Sequence, residues 1–232
     1  MEINMDNISK TRKILSFILK ITVFVSAATG TFLSYYAGRN SFMGGKRVFM
    51  FFTIQSNIAI AIICAVGFFL MLKKAEIGRV WYTIKFVGTV SITLTGVVFA
   101  FVLAPTLKAG AWNIQNTLTH LVVPVAAVAD FFVMSIVRIK KINALYVIIP
   151  PIIYAVYAGI GYVNNWQFIE GINYPYFFLN WGSKAGAFGF SDELPFMGCA
   201  WWILVLLVFL IAVGLLYLVI GDRIARRYSG NR

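Results

Sequence analysis

This chain has few residues that could carry chemistry. Among 232 residues there is a single histidine, His120, and only eight Asp and Glu. An imidazole is the side chain whose ordinary pKa suits proton transfer near neutrality, so a general base here points to His120. The companion nucleophile is sought among hydroxyls in similar surroundings. Thr53 stands in the run Phe51-Phe52-Thr53-Ile54-Gln55-Ser56-Asn57 at the start of one apolar stretch, and His120 follows Thr117-Leu118-Thr119 at the start of another. A hydroxyl beside an imidazole is the arrangement that activates a nucleophile. Thr53 and Asn57 are four residues apart and share one helix face, which makes the amides of Asn57 and Gln55 candidate donors to an oxyanion. The structural alternatives are that Thr53 bonds a carbonyl of its own or a neighbouring helix, and that His120 is a structural hydrogen-bonding group.

The elements that must position these residues follow from composition. Hydrophobic residues make up 60% of the chain and charged residues 12%, with mean hydropathy +0.84. A soluble domain carries about 25% charged residues, so disorder, a coiled coil and a water-soluble enzyme are excluded. Six apolar runs, roughly 14–36, 49–72, 82–104, 117–137, 143–163 and 198–220, are each long enough to cross a bilayer. Each must be helical, because an open strand in lipid leaves its backbone unpaired. The expected fold is all-α: a single six-span membrane domain over 1–232. The first run follows Lys10, Arg12 and Lys13 but is too long for a signal-peptide core, and it reads as an uncut span.

Charge gives the orientation. Net charge is +12, and the bases lie between apolar runs rather than in a stripe with interleaved aromatics, which argues against nucleic-acid binding. Thirteen Lys and Arg fall in the N-terminal tail, the second and fourth connections and the C-terminal tail, against five in the alternate set, including Arg39, Lys108 and Lys184. The excess of bases marks the cytoplasmic side, so both termini are expected there. Thr53 and His120 then each lie about 6 Å in from the outer end of their span at ~1.5 Å per residue, level with each other. The connection 164–197, rich in Phe, Tyr and Trp, lies above them. Its composition fits an interfacial anchor or a cap over a site.

Other polar residues inside the runs carry expectations of their own. Pro124 cannot donate to the carbonyl of residue 120, which frees that carbonyl and kinks the span near the imidazole. Asp130 lies about 15 Å deeper than His120 and is expected to pair with a Lys or Arg near the inner face, Arg138 being one candidate. Lys20 and Lys85 are expected to snorkel to the surface. Thr89, Thr93 and Gly96 share a face suited to close helix packing or to a cavity wall. Pro150-Pro151 is expected to kink the fifth span. Cys64 and Cys199 read as small buried hydrophobes. Multi-His and di-carboxylate metal sites are not supported, and no cofactor is expected.

The layout of six spans, Phe-Phe-Thr-Ile-Gln-Ser-Asn at the start of the second, and a lone His shortly before Pro at the start of the fourth, resembles the androgen-induced membrane protein family and related bacterial six-span proteins. Eukaryotic members of that family hydrolyse fatty acid esters of hydroxy fatty acids. The resemblance implies a lipid-ester hydrolase with Thr53 as a threonine nucleophile and His120 as its histidine, in a bacterial plasma membrane, acting on an acyl-chain-containing substrate. A non-enzymatic protein that binds or transports a lipid or small solute is the alternative.

Overall fold

The computed structural model describes residues 3–4, 8–39, 45–107 and 110–230. Lys108 and Arg232, which enter the charge asymmetry, lie outside them. Among the described residues six helical rods are long and apolar enough to cross a membrane. They are α1 (Lys10–Gly38), α2 (Phe52–Leu72), α3 (Arg79–Thr106), α4 (Ile114–Val133), α5 (Lys141–Val163) and α6 (Cys199–Gly230). The protein is an all-α membrane bundle, as its composition demands. Among the described residues a two-residue antiparallel pairing joins Ile3–Asn4 to Glu76–Ile77, which hydropathy gives no sign of.

Several rod ends have legible causes. Ser9 caps α1, its hydroxyl accepting from the Arg12 backbone N–H, and Asn113 caps α4 through Asn116 N–H at 2.9 Å. Both caps satisfy orphan donors of a first turn. Span four stops at Val133 rather than running on to 137. The double proline does not kink α5 in mid-span. Residues Lys141–Ile148 are wound as a 3-10 helix and the α-helical part begins at Ile149, so Pro150 and Pro151 sit in its first turn, where their missing N–H groups would have had no partner in any case.

α3 lies at the centre, with more than half of its most apolar stretch buried, and touches α2, α4, α5 and α6. α1 closes one side against α2 and α4. α6 sits on the rim and leaves Leu204, Val205, Val208, Leu215 and Leu216 exposed, the lipid-facing surface expected of a spanning bundle. The two chain ends meet at the same end of the bundle, where the Arg12 guanidinium lies 5.1 Å from the centre of the Tyr228 ring.

α3 and α4 share an irregularity. Each contains one π turn, Phe99–Leu103 in α3 and Leu118–Val122 in α4. Each turn is followed by one residue and then a proline, as Phe99-Ala-Phe-Val-Leu-Ala-Pro105 and Leu118-Thr-His-Leu-Val-Val-Pro124. The N–H of Ala104 reaches back to Phe99 and that of Val123 to Leu118. The wider turn accommodates a helix in which the proline has no hydrogen to give. The expected distortion at His120 is therefore a π turn. The two turns touch, with the Phe99 and His120 rings edge to face at 3.8 Å between centroids. Gly96 makes room: a β-carbon there would stand 2.8 Å from the His120 carbonyl oxygen, the group that Pro124 frees.

Candidate functional site

The end of the bundle that carries the loop 164–197 contains a cavity of about 70 Å³, several times the ~10–15 Å³ that one water needs. Phe52 and Thr53 of α2, Leu94, Thr95 and Val98 of α3, Tyr154 of α5 and Leu206 of α6 contribute to its wall. Tyr176, Phe178 and Leu179 of the loop close over it. The loop divides into two parts. Its first half docks on the bundle: Phe168 is fully buried against Gly161 of α5, where a β-carbon would come within 2.7 Å of its ring. Its second half leaves Phe188, Phe190, Leu194 and Phe196 exposed, a cluster of the type that sits at the lipid headgroup level. One half of the loop is thus packed over the cavity and the other is exposed.

Thr53 lies in the first turn of α2, where backbone N–H groups have no partner within the helix. Its N–H donates to the Tyr176 hydroxyl at 3.3 Å, and its own hydroxyl is 3.5 Å from the same oxygen. Burial pushes the Tyr176 phenol above its ordinary pKa, so it stays a donor. Tyr154 donates to the Met50 carbonyl at 3.1 Å. Thr95 and Ser56 share a hydrogen bond at 2.7 Å, and Ser56 also donates to the Thr53 carbonyl. Hydroxyls from α2, α3 and the loop thus meet around Thr53 in an otherwise apolar pocket.

His120 is buried, its ring against Phe99 of α3. Its Nδ1 is 3.1 Å from the Thr119 hydroxyl, which donates to the Gln115 carbonyl at 2.8 Å. With that hydrogen committed, the consistent tautomer has Nδ1–H donating to Thr119 and the lone pair on Nε2. This is an assignment from the hydrogen-bond pattern. His120 and Thr53 are level, as the span starts imply. They are joined indirectly: Asn57 donates to the Thr53 carbonyl at 2.8 Å and to the Thr119 carbonyl at 3.1 Å. The two side chains share no hydrogen bond, and His120 does not line the Thr53 cavity.

The two amides are placed differently from a donor pair. Both Asn57 amide hydrogens are committed to those carbonyls. Gln55 is exposed and donates to the Phe49 carbonyl at 3.1 Å. The donor nearest the Thr53 hydroxyl is instead the Tyr176 hydroxyl, while the N–H groups of Ile54 and Gln55 are taken by the Phe51 carbonyl. Tyr176 had a signal in the sequence, since a buried tyrosine needs a partner for its hydroxyl. Its distance from Thr53 along the chain hid the pairing.

Toward the opposite end Asp130 is fully buried and pairs with basic side chains, as expected, but Arg138 is not one of them. Arg138 pairs with Asp222. Asp130 receives Lys20 at 2.7 and 2.8 Å and Lys85 at 2.7 Å. Neither lysine snorkels; they are 4% and 5% exposed. A carboxylate in the bundle interior holds its long cationic neighbours more strongly than a distant water layer does. Among the described residues no group of three or more His, Cys, Asp and Glu could hold a metal ion.

Comparison of the chain with protein-family models, curated proteins and solved structures finds no match.

Proposed function

We propose that the protein is a membrane-embedded lipid-ester hydrolase in which Thr53 is the nucleophile. The observation that supports this reading is the Thr53 hydroxyl on the wall of an apolar cavity roofed by an aromatic loop. The apolar lining suits the first carbons of an acyl chain, the rest of a long chain having to leave the 70 Å³ cavity between the helices, and the ester carbonyl would meet the polar patch around Thr53. Thr53 Oγ attacks that carbonyl and forms an acyl-threonine. His120 Nε2 takes the proton and passes it to the departing alkoxide, and water then releases the acid. Tyr176, freed from Thr53 by the entering ester, donates to the oxyanion. The His120 ring must turn from Thr119 toward α2 for this step, a movement within a π turn, a type of distortion frequent at functional sites. The thirteen-to-five distribution of bases supports cytoplasmic termini, and the bacterial plasma membrane is the setting that the family resemblance implies.

The test is turnover of long-chain esters by purified protein in detergent or nanodiscs. Thr53→Ala and His120→Ala abolish it, while Thr53→Ser retains part. Unchanged turnover in both alanine variants would reject the reading. A second reading, a lipid-binding protein without turnover, is favoured by one observation: His120 is bonded to Thr119 and not to Thr53. It predicts a co-purifying lipid whose amount is unaffected by His120→Ala.

A further inference from the structure

The cluster around Asp130 is unbalanced in charge and in hydrogen bonds. Two ammonium groups, Lys20 and Lys85, face one carboxylate. Ser16 of α1 joins them, donating to Asp130 and accepting from Lys20, but it brings no charge. The last turn of α4 contributes roughly half a negative elementary charge, and it is already engaged, because Arg12 donates to the Val133 carbonyl at 3.1 Å. Among the described residues Asp130 is the acid in contact with the two lysines. The interior therefore holds an excess positive charge, which is costly unless neutralised.

The donors are also in surplus. Lys20 is satisfied by two carboxylate oxygens and Ser16. Lys85 reaches one carboxylate oxygen and the Asp130 carbonyl at 2.9 Å, which leaves one of its three hydrogens without a partner among the described residues. Beside it Tyr82, 2% exposed, has a buried hydroxyl with no hydrogen-bond partner among the described residues. Lys20, Tyr82, Lys85 and Asp130, with Cys64 of α2, line one small cavity of about 10 Å³. That is room for a single water-sized occupant.

We propose that this cavity is a binding site for one small monovalent anion of halide size, chloride being the physiological example. The anion accepts from the Tyr82 hydroxyl and the spare Lys85 hydrogen and neutralises the excess charge. By neutralising the excess charge that Lys20 of α1 and Lys85 of α3 bring to Asp130 of α4, it stabilises the packing of these helices at the end of the bundle opposite the Thr53 cavity, and it is independent of any hydrolase activity.

The test is thermal unfolding of the purified full-length protein at constant ionic strength, with chloride or bromide exchanged for gluconate, which is too large to enter. Halide raises Tm saturably, by about 3–6 °C when the site is filled. Tyr82→Phe, which removes only the hydroxyl, leaves Tm in gluconate within about 1 °C and shifts the halide midpoint at least about tenfold upward. Lys85→Gln abolishes the halide response. If Lys85→Gln does not fold, Tyr82→Phe decides alone, together with the anomalous signal of bromide at this position. Equal Tm in chloride and gluconate means a buried water only and overturns the proposal. So does an undiminished halide response in Tyr82→Phe.

Discussion

Asn57 on α2 donates one amide hydrogen to the carbonyl of Thr119 on α4, at 3.1 Å, while its other goes to the carbonyl of Thr53. This side chain thus sets the spacing between the hydroxyl and the imidazole neighbourhoods.

Asn57→Leu is expected to lose that spacing. It strands the buried Thr119 carbonyl, at about 1–3 kcal/mol, while the Thr53 carbonyl keeps the Ser56 hydroxyl as a donor. Tm should fall clearly, and tryptic cleavage in the 107–113 connection should speed up. A Tm within about 1 °C of wild type would count against the bridge.

Gly96→Ala is expected to be more damaging than Gly88→Ala. The first places a methyl 2.8 Å from the fixed His120 carbonyl oxygen, so α3 and α4 must part, at about 1–3 kcal/mol for overpacking. The second clashes with the Ile63 δ-methyl, the far end of a side chain that can rotate away, and otherwise makes ordinary contact with Ile60 and Ile63. Comparing the two Tm values checks this order.

Tyr176→Phe is expected to lower ester turnover by about 10²–10³ if the phenol stabilises the oxyanion, while leaving acyl-chain binding intact. Its pH signature concerns stability. Burial holds the phenol above the ordinary value of 10.0, so above that pH the unfolded chain loses a proton that the folded chain keeps. The stability tied to this proton is fully present below about pH 10 and is lost as pH climbs through the folded-state value. Tyr176→Phe should flatten the decline, read from Tm between about pH 9 and 11.

Asp130→Ala leaves two buried ammonium groups facing each other and should cost about 3–5 kcal/mol, enough to remove most folded protein from membranes. Adding Lys20→Met should recover part of the yield, because one of the stranded charges is gone. Fluorescence-detected size-exclusion profiles of the single and double variants check the rescue.

The spans were legible because bilayer thickness fixes how long an apolar run must be, and each rod covers most of its run. The proline at 124 announced the freed carbonyl at 120. Facing relations were not legible. Lys20 and Lys85 looked like snorkelling residues because each lies near a span end, but which way a helix is rotated depends on its neighbours. The same limit applies to Thr53 and His120. Their common depth can be counted along the chain, whereas the partners each meets, Phe99 and Thr119 at the imidazole and Tyr176 at the hydroxyl, are set by packing.

The π turn in α4 also sets a phase. It takes in one residue more than an α turn, and one residue is worth about 100° of rotation. In an unbroken α-helix of this sequence, with Thr119 held at Asn57, Asp130 would point about 100° away from Lys20 and Lys85. The bulge acts as a vernier between the two ends of the rod. Deleting one residue inside 118–122 should therefore disturb the ion cluster far less than deleting one between 124 and 129, although both shorten α4 equally.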